Sequence, residues 1–405
     1  MSKVPHPATG ASPKSEDPDR AACLMCSERL LEPLPEFQAI PRITSDCRSF
    51  PAGGRLAVCS ACGGVQKYPD DQWLAEIANI YAAYAAYFQA DGDEQIILDS
   101  RSGTVRRRSD VIIERLIESR RLPPTGKALD IGCGSGVTLS ALSRVLPGWK
   151  FHGQDLDRRN QSRLAAIAGF DSLFVCTPGD IPGRYDLITL IHALEHFASP
   201  RELLQSLLGK LAPGGILLVQ VCDTVRNPYD LLIADHLTHF SADTLRLLAD
   251  NSGFEVETVQ SGWVNKELSM IATGTERFSR PPVRSVSENP EHALGRVRTQ
   301  LRWLAAMAED ARREGAASPE FGIFGTSICA TWLTGILEER VSFFVDEDPS
   351  RQDKEFMGKP VLAPDKVEPG SRVYMALVPE IASQVGDRLH ALPLQFIYPP
   401  TLTFS

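Results

Sequence analysis

The stretch from Lys127 to Gly136 has residue types and spacing suited to holding a nucleotide-like ligand. An apolar strand runs into three alternating glycines, Gly132, Gly134 and Gly136, with Cys133 between the first two, and an amphipathic helix follows. Glycines let the backbone turn tightly and approach a ligand without interference from a Cβ atom. The start of the helix points free N–H groups into the turn. The stretch therefore predicts a strand, a ligand-binding turn and a helix.

An acid lies on each side of this turn. Asp130 precedes the first glycine by two positions, and the next predicted strand, Trp149 to Gln154, is followed by Asp155. An acid at that point accepts hydrogen bonds from a ribose diol in doubly wound folds. The glycine spacing differs from the Gly-x-Gly-x-x-Gly of a nicotinamide dinucleotide turn, which stays the alternative. We expect Asp130, Cys133, Asp155 and the three glycines to bind a cofactor.

A first histidine segment lies where a predicted strand ends. The apolar run at 185–191 continues into His192-Ala-Leu-Glu-His196, on the side of an α/β sheet where ligands bind. We place His192 with the cofactor-binding residues and His196 among the catalytic candidates. Their spacing would also suit zinc on a helix, but no third ligand follows nearby, so no metal is predicted here. A buried histidine with ordinary partners is the alternative for each.

A second polar segment, Asp235-His236, follows the predicted strand ending at Cys222. A carboxylate beside an imidazole is the pairing expected for proton abstraction or transfer. We therefore expect Asp235 and His236 to be catalytic, whereas Ser241 is expected to cap the next helix. The alternative is that the whole segment only begins that helix.

Four cysteines occur in two Cys-x-x-Cys pairs, Cys23/Cys26 and Cys59/Cys62. Two such pairs match a tetrahedral Zn²⁺ site, and four sulfur ligands leave no open position for catalysis. The chain between them has few periodic apolar residues, so we expect a small ribbon that needs structural zinc in order to fold. Cys47 has no partner at ligand spacing.

The predicted elements around these residues divide the chain into five regions. Residues 1–20 are expected to be a disordered leader, and 21–100 a zinc-binding domain with a helical extension that carries Tyr81, Tyr84 and Tyr87. Alternating strand and helix patterns predict an α/β domain at 101–275. A connector helix at 276–317 and a second small α/β domain at 318–405 complete the chain, and the glycine turn of that second domain either binds a nucleotide or is only scaffold.

The composition limits the partners to be expected. The chain has 405 residues, 43% of them hydrophobic, and a net charge of −9. The acidic charge disfavours a general affinity for nucleic-acid phosphates, so no nucleic-acid partner is expected. The sequence has no signal peptide and no apolar run of membrane-spanning length, so we expect a cytoplasmic protein that has no membrane partner. It gives no indication of oligomeric state.

The whole arrangement resembles the sugar C-methyltransferases, which have an N-terminal zinc-binding domain, a central class I methyltransferase domain and a C-terminal Rossmann-like domain. The matching stretches are the two cysteine pairs, 81–84, 129–136, 192–196, 235–241 and 322–346. The resemblance implies S-adenosylmethionine as cofactor and a nucleotide-linked keto-deoxysugar as substrate. It also implies that His196 and His236 are acid–base residues, and that segment 234–236 lies in the sugar pocket.

One segment departs from the family pattern. The family has Tyr-x-Glu-His where this chain has Ile233-Ala-Asp-His236, so this segment supplies no phenol for an enolate. Methyl transfer to oxygen stays open beside transfer to carbon, because it needs only a base near a hydroxyl group. A non-catalytic binding protein with a methyltransferase fold stays open as well, as does an enzyme that modifies a nucleic acid or a protein.

Overall fold

The computed structural model describes residues 21–82, 94, 96–99, 101–102, 104–274 and 289–404. The predicted leader at 1–20 lies outside the described residues, as do Tyr84 and Tyr87 of the predicted tyrosine stripe. No helix in the described ranges is long and apolar enough to cross a membrane.

The N-terminal region is a ribbon of short strands followed by one helix. Its elements are β1 (Leu31–Pro33), β2 (Arg42–Ile43), β3 (Ser49–Phe50), β4 (Leu56–Cys59), β5 (Val65–Lys67) and α1 (Asp71–Ala82). Strand β4 pairs antiparallel with both β1 and β5. The helix buries Trp73, Ile77 and Ile80, which recur at helical spacing. A hairpin of β6 (Ile96–Leu98) and β7 (Val105–Arg107) leads into α2 (Arg108–Ser119).

The central domain is a seven-stranded sheet with helices. Its elements, in chain order, are β8 (Lys127–Ile131), α3 (Val137–Val145), β9 (Lys150–Gln154), α4 (Gln161–Ala165), β10 (Phe170–Phe174), β11 (Tyr185–Ile191), α5 (Pro200–Leu208), β12 (Leu211–Cys222), β13 (Thr238–His239), α6 (Ala242–Asn251), β14 (Phe254–Gln260) and β15 (Glu267–Gly274). The order across the sheet is β10-β9-β8-β11-β12-β15-β14. Strand β15 runs antiparallel to both neighbours, and the other strands are parallel to one another.

The segment between β12 and α6 leaves this sheet and joins the ribbon. Strand β13 pairs with β5, which makes it the edge strand of the ribbon sheet, and Ile233 bridges to Ile43. Helix α6 then begins at Ser241, whose side chain accepts a hydrogen bond from the N–H of Thr244 in a capping box. The predicted capping role of Ser241 is confirmed. This crossover brings Asp235 and His236 between the ribbon and the central sheet.

The C-terminal part begins with the long helix α7 (Pro290–Ala316), which lies within the predicted connector region at 276–317. A six-stranded sheet follows, built from β16 (Phe321–Phe324), α8 (Ile328–Leu337), β17 (Phe343–Val345), β18 (Glu355–Phe356), β19 (Lys359–Leu362), β20 (Arg372–Met375), α9 (Pro379–Leu389) and β21 (Gln395–Ile397). One apolar core joins the ribbon, the turn at 228–232, α7 and this sheet. The C-terminal sheet is therefore held to the ribbon by shared packing and not only by a linker.

Candidate functional site

One cavity of about 1500 Å³ contains most of the predicted site residues. It is lined by the glycine turn after β8, by His192 and His196 after β11, and by His236 from the crossover segment. The glycine turn after β16, in the C-terminal sheet, also lines it. Because strands of both sheets end at this cavity, it has the position expected for ligands of α/β folds.

The glycine turn after β8 adopts the backbone that its sequence requires. Gly132, Gly134 and Gly136 have φ values of 69°, 50° and 83°, in the left-handed region that favours glycine. A Cβ atom on Gly134 would meet no atom within 4 Å, so that glycine faces open space. A Cβ atom on Gly136 would lie 2.6 Å from Cδ2 of Leu164, and Gly136 does not line the cavity. Gly134 is thus the position where a ligand can approach the backbone closely, whereas Gly136 allows α3 and α4 to pack against each other.

The two acids beside the turn are bound to protein donors. Asp155 accepts hydrogen bonds from the N–H groups of Gly134 (2.7 Å) and Leu156 (2.6 Å), and burial raises its pKa. Asp130 accepts a hydrogen bond from the Thr189 hydroxyl at 2.6 Å. Burial raises the pKa of Asp130 to about 7, although the Thr189 hydrogen bond opposes the shift and the charge of Asp155 adds to it. Both acids line the cavity.

His192 connects two buried carboxylates. Its Nδ1 lies 3.2 Å from a carboxylate oxygen of Glu195, and its Nε2 lies 3.0 Å from one of Glu267. Burial lowers the pKa of His192, but the Glu267 and Glu195 carboxylates together outweigh this effect, and the pKa is raised to about 9. His192 is therefore an imidazolium at neutral pH. Its φ of 50° is uncommon for a residue other than glycine.

His236 is held by a carboxylate that the sequence did not indicate. Its Nδ1 lies 2.7 Å from Oδ1 of Asp230, and Oδ2 of the same acid lies 2.8 Å from Nδ1 of His239. The Thr224 hydroxyl donates a third hydrogen bond to Asp230, at 2.7 Å. Because Nδ1 of His236 is occupied by Asp230, Nε2 is the ring nitrogen left for a ligand. A carboxylate that orients an imidazole in this way is the usual support of a general base.

His196 lies beside His236. Their ring centroids are 4.7 Å apart at 88°, and both rings line the cavity. Nδ1 of His196 lies 3.0 Å from the carbonyl oxygen of Asp235, and burial lowers its pKa, with His236 adding to the effect. The Asp235 carboxylate accepts hydrogen bonds from the N–H and hydroxyl groups of Ser45 and does not line the cavity. Asp235 therefore supports the histidines from behind.

The four cysteines of the ribbon come together as one cluster. The sulfur atoms of Cys23 and Cys62 are 3.6 Å apart, and those of Cys26 and Cys59 are 3.7 Å apart. Tetrahedral zinc with bonds of about 2.3 Å would place its sulfurs about 3.8 Å apart. A Cβ atom on Gly64 would lie only 3.2 to 3.3 Å from the sulfurs of Cys62 and Cys23, so a glycine leaves room for the cluster. These distances fit a structural Zn²⁺ ion, which would hold the turns that begin and end this part of the ribbon.

The structure also brings in acids that were not among the predicted site residues. Asp230 lies in a 3₁₀ turn, Pro228–Leu232, without periodic pattern, and Glu267 begins the antiparallel strand β15. Glu195, within the first histidine segment, is 1% exposed, and its carboxylate faces His192. Glu195 and Asp230 each follow a predicted strand, which was their only sequence signal, whereas no strand was predicted at Glu267.

The C-terminal wall of the cavity contains a second glycine turn. Gly325 has a φ of 94°, and a Cβ atom there would meet nothing within 4 Å. Thr326 donates its hydroxyl hydrogen to Asp346 at 2.6 Å, and Asp346 follows the neighbouring strand β17. Buried Arg351 donates to the Thr326 hydroxyl at 2.6 Å. This strand, glycine turn and acid repeat the arrangement of the first turn, and they line the same cavity.

Comparisons with known proteins agree with the fold of the central domain. Residues 104–259 match the protein family described as a methyltransferase domain. This stretch is similar to a methyltransferase domain. Together with its mostly parallel sheet, the match confirms the predicted class I methyltransferase α/β fold, and it supports the predicted enzyme class, an S-adenosylmethionine-dependent methyltransferase.

Individual relatives match only part of the chain. An uncharacterized protein of Synechococcus sp. is 32% identical over an alignment of 112 residues, and the match covers 25% of this chain and 27% of that protein. The ubiquinone biosynthesis O-methyltransferase of Psychrobacter arcticus is 30% identical over an alignment of 118 residues, and the match covers 27% of this chain and 44% of that protein. The chain thus spans less than half the length of these curated relatives. Human N-acetylserotonin methyltransferase, in complex with S-adenosylmethionine, aligns with a TM-score of 0.36 and 18% identity over 42% of this chain and 52% of its own.

Proposed function

We propose that the protein transfers a methyl group from S-adenosylmethionine to a nucleotide-linked sugar, with His236 as the general base. The observation that carries the proposal is that two glycine turns open onto one cavity, with His196 and His236 lining it as well. A cavity of about 1500 Å³ exceeds the roughly 300–1,000 Å³ of a typical single-ligand site, which leaves room for a cofactor and an acceptor.

The first turn suits the cofactor. The backbone at Gly134 allows close approach, and Asp155 is in position to accept hydrogen bonds from a ribose diol once it releases the N–H of Gly134. When bound, S-adenosylmethionine supplies an electrophilic methyl group on a sulfonium, which becomes a neutral thioether as the carbon–sulfur bond breaks. The protein's task is then to align an acceptor atom with that methyl group and to remove one proton.

His236 suits the proton transfer. Its Nε2 would take a proton from an acceptor hydroxyl group, or from the carbon beside a ketone, while the electron pair of the broken O–H or C–H bond forms the new bond to the methyl carbon. Asp230, 2.7 Å from Nδ1, would stabilise the resulting imidazolium. His196 neighbours this ring and would hydrogen-bond the same acceptor.

The second turn suits the nucleotide part of the acceptor. The first turn of α8, which follows the open backbone at Gly325, offers backbone N–H groups to a phosphate, and Asp346 is placed as a ribose acceptor in the same way as Asp155. This arrangement supports a nucleotide-linked acceptor over a small unlinked one. A second candidate, O-methylation of a small molecule, is favoured by the relative named a ubiquinone biosynthesis O-methyltransferase.

Transfer to carbon would need stabilisation of an enolate. Ile233 supplies no phenol, but Tyr81 of α1 lines the cavity, with its ring 6.3 Å from that of His196 in an edge-on arrangement. We propose that Tyr81 provides this stabilisation if the acceptor is a ketone. Tyr81→Phe would then slow transfer to a keto-sugar and leave O-methylation of a hydroxyl acceptor unchanged.

The test is mass spectrometry after incubation with methyl-labelled S-adenosylmethionine and a panel of acceptors. The panel holds nucleotide-linked keto and hydroxy sugars, the same sugars without the nucleotide, and small phenols. A one-methyl gain on a nucleotide-linked member supports the proposal, and fragmentation assigns carbon or oxygen. A gain only on phenols favours the second candidate. No gain although calorimetry detects cofactor binding overturns both, and absence of cofactor binding favours a non-catalytic protein.

A further inference from the structure

A buried lysine of the ribbon contacts the segment that carries His236. Lys67, the last residue of β5, is 1% exposed. Its ammonium group donates to the carbonyl oxygens of Ile233 (2.5 Å) and His236 (2.7 Å), and lies 3.1 Å from Nε2 of His239. An ammonium group has three donors and no acceptor, so these contacts occupy all three.

This ammonium group fixes the tautomer of His239. Nε2 of His239 must accept a hydrogen bond from Lys67, so the ring proton is on Nδ1, which donates to Asp230. One carboxylate oxygen of Asp230 thus accepts a hydrogen bond from the neutral imidazole of His239, and the other contacts Nδ1 of His236. While His239 is neutral, the charge of Asp230 is available to stabilise a proton on His236.

The surrounding charges agree with this assignment. Burial lowers the pKa of His239 to about 4, and the Lys67 ammonium group lowers it in the same direction, against Asp230. Burial also lowers the pKa of Lys67 to about 7, with Asp230 opposing. The charged and titratable groups that act on this pair come from β2, α1, the 228–232 turn and the crossover segment: Arg42, Glu76, Asp230, Asp235 and His236.

We infer that Lys67 is a positioning residue for the base, which keeps His239 neutral and holds the 233–236 backbone so that Asp230 serves His236. The inference rests on the proposed function, in which His236 removes the acceptor proton. It makes the zinc ribbon part of the acceptor site, because β5 follows the second cysteine pair and pairs with β13.

The test uses the full-length, zinc-loaded protein with ¹⁵N-labelled histidine rings, titrated by long-range ¹H–¹⁵N correlation spectroscopy. Signals are assigned with His236→Asn and His239→Asn. In the wild type we expect His239 to be neutral with its proton on Nδ1.

In Lys67→Met, and in Lys67→Gln as a second neutral variant, the His239 ring should take up a second proton at a pH higher by about one unit or more, because a like charge has been removed. Lys67→Arg should restore the wild-type behaviour, and Lys359→Met, in an exposed ion pair with Glu339, should not change it.

The same variants test the catalytic consequence. With an acceptor from the panel, Lys67→Met should lower kcat by about tenfold or more, with the Kd for S-adenosylmethionine unchanged. An unchanged His239 titration in the neutral variants would overturn the inference, as would a Lys67→Arg variant that behaves like Lys67→Met. The spectroscopic result needs no acceptor, so it stands apart from the proposed function, which fails if the panel yields no methylated product.

Discussion

His236 has one ring nitrogen bound to Asp230, and its ring lines the cavity, so in the proposed function two residues share the work of the base. His236→Asn should lower kcat by about 10²- to 10⁴-fold, the usual contribution of a general base. Asp230→Asn should lower it as well, because a neutral amide stabilises an imidazolium less than a carboxylate does. Single-turnover kinetics with saturating cofactor would measure both.

The Kd for S-adenosylmethionine should be unchanged in these two variants, since neither residue belongs to the glycine turn. His390→Asn, at the exposed end of α9, is the matched control and should have wild-type turnover. Full turnover in His236→Asn would remove His236 as the base and leave His196 as the remaining histidine candidate beside it.

Asp130 should make the stability of the protein depend on pH. Burial raises its pKa to about 7 in the folded protein, whereas the unfolded chain has the ordinary value of 3.8. Between these values the folded state binds the proton and the unfolded state does not, so this contribution to stability is present below pH 4 and is lost as the pH rises through 7. Asp130→Asn, which stays neutral, should therefore gain stability relative to the wild type at pH 8 and not at pH 4.

Urea unfolding at both pH values would measure this difference. Thr189→Val should add to the effect by removing the hydrogen bond that favours the charged form of Asp130. Parallel curves for wild type and Asp130→Asn across the whole range would show that Asp130 has an ordinary pKa.

At the scale of elements, two glycines of one turn should respond differently to the same substitution. Gly136→Ala places a Cβ atom 2.6 Å from Leu164 in a left-handed backbone, so the free energy of unfolding should fall by about 1–3 kcal/mol or more. Gly134→Ala meets no protein atom, so its cost should be limited to about 1 kcal/mol for the left-handed backbone. Its added methyl group should instead weaken cofactor binding, because Gly134 faces the cavity. Thermal unfolding and calorimetry separate the two effects, and equal losses of stability would contradict this division.

The glycine turn and the cysteine pairs could be predicted because their chemistry is local. Three glycines in the left-handed region and two Cys-x-x-Cys turns each depend on residues a few positions apart. Asp230 and Lys67 could not be predicted in this way. They meet only because the crossover segment leaves the central sheet and adds β13 to the ribbon, a long-range pairing for which sequence periodicity gives no register.

The lack of long-range information in the sequence also affected the prediction for Asp235. Its place beside His236 in the sequence suggested a catalytic pair, but Asp235 lies in a hydrogen-bonded turn, in which the N–H of His236 donates to the carbonyl oxygen of Ile233 at 3.2 Å. The carboxylate therefore reaches Ser45 of the ribbon, while Asp230, six positions upstream of His236, takes the role beside the imidazole.

At the scale of the whole molecule, the shared core decides how the two turns face one another. Helix α7 packs against the ribbon and the C-terminal sheet, and the Tyr229 hydroxyl, in the turn beside Asp230, donates to the carbonyl oxygen of Leu377 at 2.9 Å. Packing therefore sets the distance between the two turns. A ligand that contacts both turns needs such a fixed distance. A nucleotide-linked sugar would extend from the C-terminal turn to the histidines, and the cofactor would occupy the opposite end.

This arrangement predicts that the two ends bind their ligands independently. Asp346→Asn keeps an acceptor for Thr326 but removes the charge that would hold a ribose, so it should weaken binding of nucleoside diphosphates by about tenfold. The Kd for S-adenosylmethionine should not change, and Asp155→Asn should give the reverse pattern. Calorimetry with uridine, thymidine, guanosine and adenosine diphosphates would measure the first effect, with Asp387→Asn on exposed α9 as the control. If no diphosphate binds the wild type, the C-terminal turn is scaffold, and the acceptor must be held by the histidine end of the cavity alone.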